Sequence, residues 1–176
     1  MRTRNGLLPD AQAICDLIGL YSHDGTLLPR SLGEICENVP DFVVAEHEGK
    51  IIGCGALHLY GPHLAEVRSI AVHPSAKGKG TGRLVVNTLL RQAKRHRVSC
   101  VCLFTRIPEF FAHIGFHVTN HENVPDKILK DCVSCPRLHA CDEVAMIRGE
   151  LPQFSFLRQE NFVPLVQLSH EQIRTD

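Results

Sequence analysis

Residues 70–86 read IAVHPSAKGKGTGRLVV: a strand-like run, a proline, then glycines at 78, 80 and 82 directly before a helix-like run. The chemistry that this order of residue types supports is anion binding. Glycines let a backbone approach a ligand closely, and the first amides of a helix offer free N–H groups at the positive end of its dipole. Lys77, Lys79 and Arg83 add positive charge. Spacing excludes two familiar phosphate loops. A dinucleotide fingerprint needs a third glycine where Arg83 stands, and a P-loop needs Gly-Lys-Ser/Thr where Gly80-Thr81-Gly82 stands. The remaining G-x-G-x-G suits a pyrophosphate; the alternative is a glycine-rich turn with solvated lysines.

Such a loop must be held between a strand and a helix, and its flanks supply both. Before it, Glu66 to Val72 reads as a strand in which Val67 lies on the opposite face from Ile70 and Val72. A change of parity within one strand predicts a β-bulge. After it, Leu84, Val85, Leu89, Leu90 and Ala93 predict a long amphipathic helix. Upstream, Asp10 is positioned to cap a helix with Ile14, Leu17, Ile18 and Tyr21 on one stripe, and Ser31 with Glu34 has capping-box spacing. DFVVAEHEGKIIGCGAL predicts two strands turning at Glu48-Gly49. Downstream, VCLF predicts a buried strand, Pro108 starts a helix with Phe110, Phe111 and Ile114 inward, and Gly115 stops it before a last strand. The expected fold is an α/β domain on a mixed sheet.

A chain of 176 residues, 44% hydrophobic and 22% charged, is expected to form one globular domain. Nineteen basic and nineteen acidic residues point away from nucleic acid and membrane surfaces. The start, MRTRNGLLPDAQAI, lacks the apolar core of a signal peptide, so a cytoplasmic protein is expected. Five of the eight cysteines (Cys15, Cys36, Cys54, Cys100, Cys102) lie in strand-like or helix-like runs and read as reduced thiols.

EVRSIAVHPSAKGKGTGRLVV followed by FFAHIGF resembles the GNAT superfamily of N-acetyltransferases. DGTLLPRSLGEI, DFVVAEHEGKIIGCGALHL, LAEVRSIAVHP, PEFFAHIGF and DCVSCPRLHACDEVAM are similar, in order, to segments of the short stand-alone N-acetylglutamate synthases, over about residues 8–148. The resemblance implies a mostly antiparallel mixed sheet flanked by helices, with a bulged strand at the acetyl-CoA site. It implies an N-acetyltransferase domain over residues 1–150. Acetyl-CoA would bind Ile70, Ala71 and Val72 and the loop Lys77, Gly78, Lys79, Gly80, Thr81, Gly82 and Arg83. The acceptor would be L-glutamate, in the first step of arginine biosynthesis. Glutamine, another small amine or a peptide N-terminus stays open, as does an acetyl-CoA sensor without catalysis.

Acetyl transfer to an amine needs a base, a polarised thioester carbonyl and a neutralised leaving thiolate. The resemblance points to backbone N–H groups near Ala71 and Val72 for the carbonyl and to Glu66, acting through water, for the base. Many members carry a tyrosine four residues before the Gly-Phe pair; this chain has Phe111, which cannot donate a proton. No acid is assigned.

An amino-acid acceptor brings carboxylates, for which arginine offers a bidentate fork. Arg30 and Arg137 lie in segments resembling acceptor-binding parts of the synthases, and Arg68 shares a strand face with Glu66 if the bulge falls after it. Cys132, Cys135 and Cys141, with His139, have the donor types of a zinc site but lack a second C-x-x-C pair. They are read as reduced thiols, with no metal. His58, His63, His73 and His113 are read as surface or capping residues, and Arg91, Lys94, Arg95 and Arg97 as a solvated helix face. Residues 151–176, with Phe154, Phe156 and Phe162, are expected to pack on the domain or on a second subunit of a homodimer.

Overall fold

The structure, a computed structural model, describes residues 1–151. The expected packing of the segment 151–176 lies, beyond its first residue, outside the described residues.

Among the described residues, seven strands form one sheet: β1 (Arg2–Asn5), β2 (Phe42–His47), β3 (Lys50–Leu59), β4 (Leu64–Val72), β5 (Cys100–Thr105), β6 (His117–Val118) and β7 (Val144–Gly149). Their spatial order is β1-β2-β3-β4-β5-β7-β6. Only the β4–β5 pair is parallel; all other neighbours are antiparallel. The mixed, mostly antiparallel sheet agrees with the sequence reading. Strands β1 and β7 were not expected from it. RTRN is polar and short, with no alternating apolar residues, and β1 forms because it pairs with β2 from Arg2↔Glu46 to Asn5↔Val43.

Among the described residues, five α-helices flank the sheet: α1 (Ala11–Ser22), α2 (Leu32–Glu37), α3 (Thr81–Arg95), α4 (Pro108–Ala112) and α5 (Pro125–Lys130). On one face α1 and α2 bury Ile14, Leu17, Ile18 and Ile35 against Val44, Cys54, Ala56 and Ala71. On the other, Val85, Val86 and Leu89 of α3 and Phe111 of α4 pack on Val43, Leu57, Ala65 and Val67. Gly55 is what lets α3 come close. A Cβ there would lie 2.3 Å from Ile70 Cδ1 and 2.9 Å from Val85 Cγ1.

The capping box forms as predicted, with Glu34 N–H donating to Ser31 Oγ at 3.2 Å and Ser31 N–H to Glu34 Oε2 at 2.8 Å. Asp10 does not cap α1 with its side chain. Its carboxylate instead takes Leu7 N–H at 2.8 Å and both arms of Arg4, and these hold its pKa below the usual carboxylate range despite burial. A cation supplied by the unforeseen β1 outcompetes the helix amides. All eight cysteines are free thiols; Cys54, Cys100 and Cys102 are buried, whereas Cys15 and Cys36 are only partly so. Among the described residues no helix is long and apolar enough to cross a membrane.

Candidate active site

The functional region begins with a break in the sheet. Strands β4 and β5 share three rungs, Leu64↔Cys100, Ala65↔Val101 and Glu66↔Cys102. Beyond Glu66, β4 runs on to Val72 and β5 to Thr105 with no further rungs between them, while β5 pairs with β7 along its other edge throughout. The edge of β4 facing β5 is therefore open from Val67 onward, a ladder of backbone groups available to an extended ligand.

The predicted bulge lies in this stretch. Cys54 pairs with Ala71 and Ala56 with Arg68, so Ser69 and Ile70 together oppose Gly55. Ser69 takes the left-handed conformation, φ +55°. The bulge returns Ile70 to the face of Val67, against the α3 core, and leaves Glu66 and Arg68 on the opposite face with α1, α2 and α5. His73 N–H donates across the sheet to Ile52 O at 2.9 Å. By strand alternation, the amide and carbonyl of Val72 then face the open edge. There the Tyr21 hydroxyl donates to Val72 O, with Lys77 Nζ 4.8 Å from the centre of the Tyr21 ring.

At the end of this edge stands the glycine loop. Gly78 (φ +74°) and Gly80 (φ +80°) are both left-handed, which suits residues without Cβ. The first hydrogen bond of α3 runs from Leu84 N–H to Gly80 O at 3.0 Å, so the amides of Thr81, Gly82 and Arg83 precede it. Thr81 is buried and donates its hydroxyl to Ala76 O at 3.1 Å, fixing the turn from inside. Lys77, Lys79 and Arg83 are exposed at the same end. Open amides, glycine conformations and cations converge at one helix start, the arrangement that an anionic phosphate group requires.

Glu66 is buried, 3% exposed, within a network of charges. Lys127 Nζ lies 2.8 Å from Glu66 Oε1 and 3.1 Å from Asp131 Oδ2. The Tyr60 hydroxyl is 2.9 Å from Glu66 Oε2 and 2.7 Å from Asp131 Oδ2, one proton between two carboxylates. Arg68 NH1 lies 3.7 Å from Glu66 Oε2 and 3.5 Å from Asp131 Oδ2. Burial alone would lower the Lys127 pKa, yet Glu66 and Asp131 outweigh it and raise it above the ordinary lysine range. Burial would likewise raise the Asp131 pKa, but Tyr60, Lys127 and Arg68 hold it below the usual range. Burial, the Glu66 charge and the bond to Asp131 push the Tyr60 pKa far up, so Tyr60 stays a protonated donor. Beside them His58 accepts from Lys130 Nζ at 3.2 Å, and burial with the Arg68 and Lys130 charges pushes its pKa down to about 4.

The three arginines separate. Arg30 and Arg68 line one small cavity with Glu34, Asn38, Asp41 and Ser69, next to the bulge. Arg137 packs on the Gly25 turn, where a Cβ would lie 2.1 Å from its NH2, and its NH1 is 3.8 Å from Asp142 Oδ1. Arg106 NH1 donates to Gly25 O in the same turn at 2.8 Å, and its Nε donates to Asp142 Oδ2 at 2.7 Å. Phe111 is buried, edge-on to Phe110 and Phe116, and belongs to the core. Among the described residues, no three or more His, Cys, Asp or Glu side chains are grouped to hold a metal ion. Cys132 opens one 3₁₀ turn and Cys135 follows it, while Cys141 follows a second, Leu138–Ala140, and burial raises the Cys132 pKa.

Lys127, Asp131 and Tyr60 were missed in the sequence. The only local signal was the i,i+4 spacing of Lys127 and Asp131, which reads as an ordinary helix-surface pair.

The sequence profile of the acetyltransferase (GNAT) family matches residues 16–118. An uncharacterized N-acetyltransferase of Chlorobaculum tepidum is 39% identical over 82% of this chain and 94% of its own length. An amino-acid acetyltransferase of Mycobacterium tuberculosis is 38% identical over 69% of this chain and 70% of its own. Among solved structures, the Mycobacterium tuberculosis protein Rv2747 in complex with CoA superposes with a TM-score of 0.73 at 30% identity, over 86% of this chain and all of that one. The N-acetylglutamate synthase of Neisseria gonorrhoeae, complexed with coenzyme A and N-acetyl-glutamate, superposes with a TM-score of 0.76 at 25% identity, over 84% of this chain and 34% of that longer one.

Proposed function

From the premise that this chain belongs to the GNAT acetyltransferase family and is an acetyl-CoA-dependent N-acetyltransferase, we propose that its acceptor is the α-amine of L-glutamate, in the first step of arginine biosynthesis. The observation carrying this reading is the pairing of Arg30 and Arg68 on one cavity, on the sheet face that holds Glu66. An amino-acid acceptor needs cations for its α-carboxylate and a base for its ammonium, and these three side chains offer both. The names of the relatives support an amino-acid acceptor.

In this reading, the loop Lys77–Arg83 holds the pyrophosphate of acetyl-CoA, and the open edge of β4 holds its extended arm. Amides at the bulge, from Ile70 to Val72, polarise the thioester carbonyl. Glu66, directly or through one water, takes the proton of the α-ammonium. The freed amine attacks the carbonyl carbon, a C–N bond forms, the C–S bond breaks, and the leaving thiolate takes up the proton that the new amide nitrogen sheds. Tyr60 is a positioning residue, since its hydroxyl orients the Glu66 carboxylate rather than meeting the reacting atoms.

A panel of free amino acids with acetyl-CoA, followed by thiol detection, tests the assignment. L-Glutamate is expected to support the highest kcat/KM. Thiol release that does not depend on any added amino acid would overturn it.

A further inference from the structure

We infer that Lys127 is a specificity-determining residue: it stands where the acceptor's ammonium must come, and once displaced from Glu66 it pairs with the acceptor's side-chain carboxylate. The inference rests on the reading of this site as an amino-acid N-acetyltransferase centre, and it names what in that centre selects a second carboxylate.

The Lys127 ammonium lies 2.8 Å from Glu66 Oε1, the distance at which an α-ammonium would hand over its proton. The second oxygen of Glu66 is already occupied by the Tyr60 hydroxyl. Glu66 is too buried to accommodate two ammonium groups, so the incoming one replaces the resident one. Lys127 can give way, because its charge sits on a flexible four-carbon stem carried by the short helix α5.

What remains after displacement decides which acceptor is preferred. Lys127 is 15% exposed, and its other partner, Asp131, is shared with Tyr60 and Arg68. A buried cation that loses one of its two carboxylates is destabilised unless an anion arrives with the displacing group. Glutamate brings a side-chain carboxylate into this neighbourhood, whereas glutamine brings a neutral amide of nearly the same shape. Arg30 and Arg68 remain for the α-carboxylate, which both acceptors share. The contrast between the two amino acids therefore isolates Lys127.

The experiment compares kcat/KM for L-glutamate and L-glutamine in the wild type and in Lys127→Met. The glutamate preference is expected to fall by roughly ten- to a hundredfold in the variant, through a higher KM for glutamate with the KM for glutamine unchanged or lower. Lys127→Arg, which keeps the charge, is expected to restore most of the preference. A structural role alone would lower both acceptors alike, and an unchanged ratio overturns the inference. If Lys127→Met turns over neither acceptor, calorimetric titration of each amino acid into the CoA-loaded variant reads the same contrast. Selective loss of glutamate binding supports the inference, and equal loss overturns it. A wild-type protein that uses neither amino acid would instead overturn the functional reading, and the inference with it.

Discussion

Glu66 and Cys102 form the last rung that β4 shares with β5, so the candidate base stands at the apex of the opening in the sheet. The same strand then bulges at Ser69 and Ile70 and ends at the glycine loop. The candidate base, the amides proposed to polarise the carbonyl and the candidate phosphate cradle thus lie in sequence along one strand and its continuation. One secondary-structure element sets the distances between three chemical tasks, which favours a fixed geometry.

Replacing Glu66 with Gln keeps the shape and removes the negative charge. Turnover is expected to fall by about 10²- to 10⁴-fold, the usual range for a general base, with the KM for acetyl-CoA little changed. The substitution also leaves Lys127 with Asp131 as its only carboxylate, so a lower melting temperature should accompany the kinetic loss. Wild-type turnover in the folded variant would assign the proton to another group.

Gly80→Val tests the loop. Space is not the obstacle, since a Cβ at Gly80 meets nothing within 4 Å. Conformation is the obstacle: a φ of +80° costs a side-chain-bearing residue about 1–2 kcal/mol, and a β-branched one more. The loop should relax away from this shape, and the KM for acetyl-CoA should rise by about tenfold or more. Steady-state titration of acetyl-CoA at saturating acceptor reads the effect, and an unchanged KM would place the phosphates elsewhere.

Alanine at Arg30 or at Arg68 should raise the KM for L-glutamate by roughly ten- to a hundredfold, the value of a charge-assisted bond to a carboxylate. Arg137→Ala should have the smaller effect, because that side chain is engaged by the Gly25 turn and Asp142. The three glutamate titrations rank the arginines. Equal kinetics in all three variants would move the acceptor site away from the Arg30–Arg68 cavity.

His58 makes stability depend on pH. Its pKa falls from 6.5 to about 4 on folding, so the unfolded chain binds a proton that the folded protein rejects between those values. Unfolding takes up a proton in that window, and stability must drop as pH falls from about 6.5 toward 4. Protonation would also oppose the bond that Lys130 donates to Nε2. Thermal unfolding followed from pH 7 to 4.5 should show this loss, and His58→Gln should flatten it. The same slope in both proteins would assign the transition to other groups.

Much of the fold could be read from local signals. The hairpin turn at Glu48-Gly49 forms with both residues left-handed, as a two-residue turn demands. The parity change in β4 located the bulge, because period-2 alternation exposes a single inserted residue. By contrast, β7 carries an apolar run from Val144 to Ile147 that the sequence reading did not turn into a strand, while β1 is short and polar and exists through its pairing with β2. The Asp10 side chain was misread for the same reason: capping residues are local, whereas Arg4 reaches Asp10 only because β1 docks beside β2.

The sequence by itself determined the candidate phosphate-binding end of the site. Glycine spacing, left-handed turns and a helix start are properties of neighbouring residues, so their order in the chain is also their order in space. Only the tertiary structure decided the acceptor end. Glu66 from β4, Arg30 from the loop before α2, Tyr60 from just after β3 and Lys127 with Asp131 from α5 and the turn after it meet on one sheet face. Apart from the i,i+4 step between Lys127 and Asp131, no spacing rule links them. Which buried charge pairs with which is settled by packing, because a charge leaving water must find a partner among the groups that the fold brings within reach.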